Sequence, residues 1–109
     1  MLLIIAVIKM KALPEKCLEL KQTPLALIEP TRNEKGCLSF DVLRDIEHEN
    51  CFTLLHQWMS RESLDKYLCS DPFAVLKGTS SLLISPPQIM INTVSESLGL
   101  QCWWGRWMK

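Results

Sequence analysis

The chain has 109 residues, of which 48% are hydrophobic, and its twelve basic and twelve acidic side chains cancel to a formal net charge of +0. That length suits one domain with a full core, and the charge balance leaves no electrostatic footprint for nucleic acid or an anionic membrane. Five cysteines (Cys17, Cys37, Cys51, Cys69, Cys102) form no C-x-x-C pair and are odd in number, which argues against a disulfide framework and for a reducing, cytoplasmic setting; His48 and His56 are in no recognised ligand spacing, so no metal is expected.

The opening MLLIIAVI is apolar but too short for a bilayer, which takes about 20 residues. It also lacks the charged region and cleavage site of a signal peptide. It reads as a buried strand over 2–9. Pro14 suits the first position of a helix, and Cys17, Leu20, Leu27 and Thr31 then recur at helical spacing. Pro24 and Pro30 fall inside that stretch, and each predicts a kink or break.

Gly36 closes the helix and CLSFDVLRD follows, with Leu38, Phe40 and Val42 alternating with Cys37, Ser39 and Asp41 as in a strand with one apolar face. The polar turn DIEHEN joins it to CFTLLHQW, so the two form a hairpin. Ser60 is a predicted helix N-cap, with Glu62 in the first turn and Leu64, Tyr67 and Leu68 on one face. Pro72 restarts a short helix capped by Ser70 or Asp71, Phe73 and Leu76 point inward, and Gly78 stops it. TSSLLISPP is a connector and QIMINTV the last strand.

The order strand, helix, strand, strand, helix, strand is the α+β, ferredoxin-like βαββαβ pattern. It predicts one domain over 1–94 and a tryptophan-rich C-terminal extension over 95–109. Two helices cover only one face of four strands. The other face carries half of the first strand's aliphatics with Leu43, Leu55, and either Met90 and Val94 or Ile89 and Ile91. An apolar face of that size marks an interface, so a homodimer joined sheet to sheet is expected; the alternative is that loops or the C-terminal tail cover the face.

The stretch LIEPTRNEKGCLSFDVLRDIEHENCFTLLHQWMSRESLDKYLCSDPF resembles the antibiotic biosynthesis monooxygenase family, the small quinol and anthrone oxygenases. The likeness covers Leu3 to Val94. It is carried by EPTRNEKGCLSFDV, by Asn50 and Phe52 opening the third strand, by Trp58 at its end, and by SRESLDKYL followed by SDPF. The resemblance implies a dimeric α+β barrel with a pocket between each sheet and its helices. It also implies oxidation of a phenolic or quinol substrate by dioxygen, with neither metal nor flavin. Relatives on the same fold degrade haem or act on a phosphorylated sugar. Quinol-type relatives often carry histidine at the positions of Tyr67 and Pro72, and glutamate at that of His56.

Alternation along the third strand puts Phe52, Leu54, His56 and Trp58 on one face. The resemblance places Trp58 at the pocket, so the expected catalytic residues are His56, Trp58 and Tyr67. Phe40, Leu54, Leu64, Leu68 and Phe73 are the expected lining. A histidine near neutrality suits a general base for a phenolic proton, Trp58 offers an N–H and a flat wall, and Tyr67 offers a hydroxyl. The plainer alternatives are a core histidine satisfied by a carbonyl or water, a core tryptophan, and a tyrosine whose hydroxyl meets solvent. His48 lies in a charged turn, and Cys69 has nothing basic beside it.

The expected function is therefore a cofactor-independent monooxygenase whose partners are a small molecule, dioxygen and a second copy of itself, with no nucleic acid and no membrane. The alternatives are a non-catalytic binding protein, a haem-binding relative, for which no axial histidine stands on the second helix, and a sugar-phosphate isomerase. The terminal LGLQCWWGRWMK, with Trp103, Trp104, Trp107 and Arg106, lies beyond the resemblance; it suits packing on a partner subunit or disorder better than a membrane surface.

Overall fold

The structure, a computed structural model, describes residues 3–95. The aliphatic opening forms β1 (Leu3–Lys11), a central strand of a four-stranded antiparallel sheet ordered β2-β3-β1-β4. The remaining strands are β2 (Cys37–Arg44), β3 (Cys51–Trp58) and β4 (Gln88–Val94). Ile4, Ala6, Ile8 and Met10 of β1 are buried on one face, beneath the helices. Alternation sends Leu3, Ile5 and Val7 to the other face, where the single chain leaves them half-buried.

Chain register decides which β4 residues join them. Val7 pairs with Met90 and Leu3 with Val94, so Met90 and Val94 share the open face with Leu55 and Leu43. Ile89 and Ile91 stand opposite Ile8 and Ala6 on the covered side. The open face is thus apolar along its middle, and Met90 and Leu43 are exposed.

The first helical stretch shows how its prolines act. Pro14 opens a 3-10 turn rather than an α-helical one, and α1 follows (Cys17–Ala26), with Pro24 inside it. The helix breaks at Leu27, three residues on, and a short α2 (Ile28–Arg32) follows. The break puts Pro30 in the first turn of α2, where its missing N–H has no intrahelical partner to lose. Gly36 then turns the chain with a φ of 86°. A side chain there would also overlap Ser63, so glycine is required twice over.

Ser60 caps α3 (Arg61–Leu68), its hydroxyl accepting from the Ser63 N–H at 3.1 Å. Ser70, not Asp71, caps α4 (Asp71–Lys77) by accepting from the Phe73 N–H at 3.4 Å. Gly78 does not stop α4 in the left-handed conformation; it keeps helical dihedrals and leads into a 3-10 turn. The architecture is an α+β, ferredoxin-like fold with all helices on one side of the sheet. No helix among the described residues is long and apolar enough to cross a membrane. The expected tryptophan-rich extension lies outside the described residues apart from Ser95.

Candidate active site

The residues of interest meet where β3 passes under α3. The extended backbone of β3 turns Phe52, Leu54, His56 and Trp58 to the covered face, and all four are fully or almost fully buried. His56 sits between Ala6 of β1 and Phe40 of β2. The Ser60 cap starts α3 directly after β3, which lays Leu64 and Tyr67 over the end of the strand with Leu68 half-buried beside them.

Aromatic contacts knit the cluster. Tyr67 stacks on Trp58 with centroids 4.8 Å apart and meets His56 edge-on at 5.6 Å. Phe40 lies 5.5 Å from the imidazole, and Phe73 of α4 lies 5.4 Å from Tyr67. Such offset and edge-to-face pairs add to the burial itself. His56, Trp58, Tyr67, Leu54 and Leu64 are each 0% exposed, so solvent reaches none of them. The Tyr67 hydroxyl therefore does not meet water, and His48 and Cys69 stand outside on the surface.

The polar atoms of the cluster are unevenly served. The Trp58 Nε1–H donates to His56 Nδ1 at 2.7 Å. This is where the indole N–H goes, rather than to open space. His56 Nε2, Tyr67 OH and Thr31 Oγ1 are buried without a hydrogen-bond partner among the described residues. Burial lowers the His56 pKa to about 4, so the ring is neutral at physiological pH. Burial likewise pushes the Tyr67 phenol up to about 12. The nearby Thr31 hydroxyl pulls the other way, and Cys37 and Glu34 add to the rise. Thr31 and Tyr67 are close enough to feel each other, yet their oxygens miss hydrogen-bond geometry and each stays unpaired.

Thr31 was the part least visible in the sequence. Its one signal is that it is the polar member of the Leu20–Leu27 stripe. The break at Leu27 turns it onto Tyr67.

A cavity of about 270 Å³ adjoins the cluster, between the sheet and α4, lined by Ile8, Met10, Phe73, Leu76, Leu83 and Ile89. Phe73 is a wall of both. Thr79, also on the cavity, is already satisfied: its hydroxyl donates to the Leu76 carbonyl at 2.7 Å. Of the other residues named from the sequence, Phe40 also borders a more open depression near Arg32 and Asp41. Among the described residues, no group of three or more metal-binding side chains is gathered, and Cys17, Cys37, Cys51 and Cys69 are free thiols.

A ferredoxin-like chain with one bare sheet face and an aromatic site under its helices defines a class of small α+β proteins. The profile of the antibiotic biosynthesis monooxygenase family matches residues 3–77, and the chain belongs to that family. A relative in Synechocystis, the uncharacterised protein sll1783, is 30% identical over 88 residues, 80% of this chain. The chain spans 60% of that relative's length. Among solved structures, a conserved protein from Methanosarcina mazei Go1 is 33% identical, with a TM-score of 0.79 over 84% of this chain and 92% of that one. Rv0793 from Mycobacterium tuberculosis, at 21% identity, shares the fold with a TM-score of 0.83 over 89% of this chain and 99% of its own.

Proposed function

We propose that the chain is an oxygenase that oxidises a small phenol or quinol with dioxygen, in the space between its sheet and helices. One observation carries this reading: three polar atoms, on His56, Tyr67 and Thr31, are buried without partners among the described residues, inside an otherwise apolar aromatic cluster. A structure accepts that cost where a ligand supplies the missing partner. The adjoining cavity of about 270 Å³ is slightly below the roughly 300 Å³ at which ligand pockets begin. It suits a molecule of one or two rings. Movement of the Phe73 ring would join the cavity to the polar atoms, so that the substrate ring lies on Ile8 and Met10 with an oxygen at Tyr67 and His56.

In this reaction the substrate is its own reductant: one oxygen atom enters the ring and the other leaves as water. Family membership supports the reaction class. Oxygen uptake with menadiol, with the hydroxylated quinone identified by mass, tests it; rates no faster than spontaneous oxidation across several quinols overturn it.

Binding without chemistry is the second reading. It is favoured by the cavity itself, whose buried polar side chain, Thr79, is already paired. It requires quinols to bind with no turnover. The apolar open face, with Ile5, Val7, Leu55 and Met90, supports a homodimer joined through that face; a sedimenting species of single-chain mass at micromolar concentration would rule it out.

A further inference from the structure

The covered face of β3 holds two side chains whose polar atoms are tied to each other before any ligand arrives. An indole N–H can only donate. With Trp58 Nε1 2.7 Å from His56 Nδ1, that nitrogen must present its lone pair, so a neutral ring carries its proton on Nε2. The opposite tautomer would set two N–H groups head to head at the same distance. Phe40 and Tyr67 pack against the ring, with centroids 5.5 and 5.6 Å away, and help hold it in this orientation. The free end of the imidazole is therefore a buried donor with no acceptor among the described residues.

We propose that Trp58 is a positioning residue that locks His56 in the Nε2–H tautomer, making the site a reader of an acceptor oxygen, a phenolate or ketone, and leaving the substrate's proton to water rather than to His56. This rests on the reading that the cluster holds the substrate, and it names the form in which the substrate is held. A phenolate gains a charge-assisted hydrogen bond from Nε2–H that an oxygen-free ring cannot. The phenol ionises as ArOH to ArO⁻, its proton passing to water before the oxygen is sealed in. Around His56, β1 contributes Ala6 and β2 Phe40. Titratable groups near the cluster are Tyr67 of α3, with Cys37 of β2 and Glu34 beside it. No carboxylate among the described residues offsets the burial of the imidazole.

Nitrogen-15 NMR of the full chain reads the tautomer directly. The chain has two histidines, so a His48→Gln variant assigns the His56 signals. The expected spectrum has Nδ1 unprotonated and Nε2 protonated, unchanged between about pH 6 and pH 8. Trp58→Phe keeps a ring but deletes the donor, and is expected to yield a tautomer mixture. A wild-type Nδ1–H ring, or a ring that titrates in that window, overturns the lock. In the second arm, 4-nitrophenolate is expected to bind at least about tenfold more tightly than nitrobenzene. Equal binding, or binding of neither, overturns the choice of an acceptor oxygen. A locked tautomer and phenolate preference in a protein that oxidises no quinol would remove the oxygenase reading and leave this one intact. An Nδ1–H ring in an active enzyme would do the reverse.

Discussion

Two neighbouring regions under the helices, one on β2 and β3 and the other on β1 and β4, have opposite defects. Around Tyr67 the rings lie 4.8 to 5.6 Å apart and solvent is excluded, yet three polar atoms lack partners among the described residues. Around Met10 the buried hydroxyl of Thr79 is paired, yet about 270 Å³ stands open. One region is well packed and poorly hydrogen-bonded; the other is the reverse. Neither is what stability alone would select. Placed side by side with Phe73 between them, the two defects are complementary: a ring to fill the space and an oxygen to meet the donors.

The largest effect separates the regions by packing. Leu64→Ala removes a side chain with no exposure in the cluster and should cost about 3–5 kcal/mol, the upper part of the range for such truncations. Leu76→Ala, on the cavity wall, should cost about 2 kcal/mol, because the space it leaves joins one already open. Urea denaturation of both variants checks the difference. Equal losses would mean that the cavity is filled in solution.

A second effect, up to roughly 3 kcal/mol, comes from pH. Above about pH 6.5 His56 is neutral folded and unfolded, and its burial has no pH-linked cost. As pH falls from 6.5 toward about 4, the unfolded chain takes a proton that the folded chain refuses. Stability should therefore decline across that window. His56→Leu should flatten the decline; an unchanged slope would show that the imidazole is not buried in the neutral form.

These tests fall on the parts of the molecule that the sequence left undecided. The elements were legible because their signals are local. Alternation in CFTLLHQW fixed which residues share a face, and Ser60 and Ser70 supplied caps that the structure uses. The pairing of His56 with Trp58 was not legible, although their common face was. Period-two spacing places two side chains on the same side of a strand, but the rotamers that aim an indole N–H at an imidazole depend on Tyr67 and Phe40 closing around them. Thr31 was hidden for a similar reason: the prolines predicted a break, but that Thr31 comes to lie near Tyr67 depends on how the helices pack. A pocket between sheet and helices was expected from the resemblance, but of its expected lining only Phe73 borders this cavity, because the cavity is a gap between α4 and the sheet and no residue pattern announces where a void falls.

A smaller effect turns on the hydroxyl of Tyr67. Tyr67→Phe keeps the stacked ring and deletes a buried oxygen that has no partner among the described residues. Stability should stay within about 1 kcal/mol of the parent or rise, since removing an unsatisfied polar group relieves a desolvation cost. Quinol turnover should nevertheless fall about tenfold or more, the loss expected for one hydrogen bond to a charged oxygen. Calorimetry and oxygen uptake on the same preparation check both halves. A clear loss of stability would mean that the hydroxyl is satisfied in solution, by water or otherwise.

Phe73 gives a similarly small change in stability and the sharpest view of how the two regions communicate. It is 8% exposed, touches Tyr67 on one side and borders the cavity on the other, with the Lys77 ammonium 5.4 Å from its ring centroid. Phe73→Leu exchanges a flat wall for a smaller, branched one and should cost about 1 kcal/mol, as moderate hydrophobic replacements do. If the ring is the partition between space and donors, the variant should admit bulkier quinols, with KM for a two-ring substrate falling severalfold while kcat changes little, because the polar atoms are untouched. If KM rises instead, Phe73 holds the substrate rather than screening it. If neither moves, the cavity and the His56 cluster are separate places, and the complementarity of their defects is incidental.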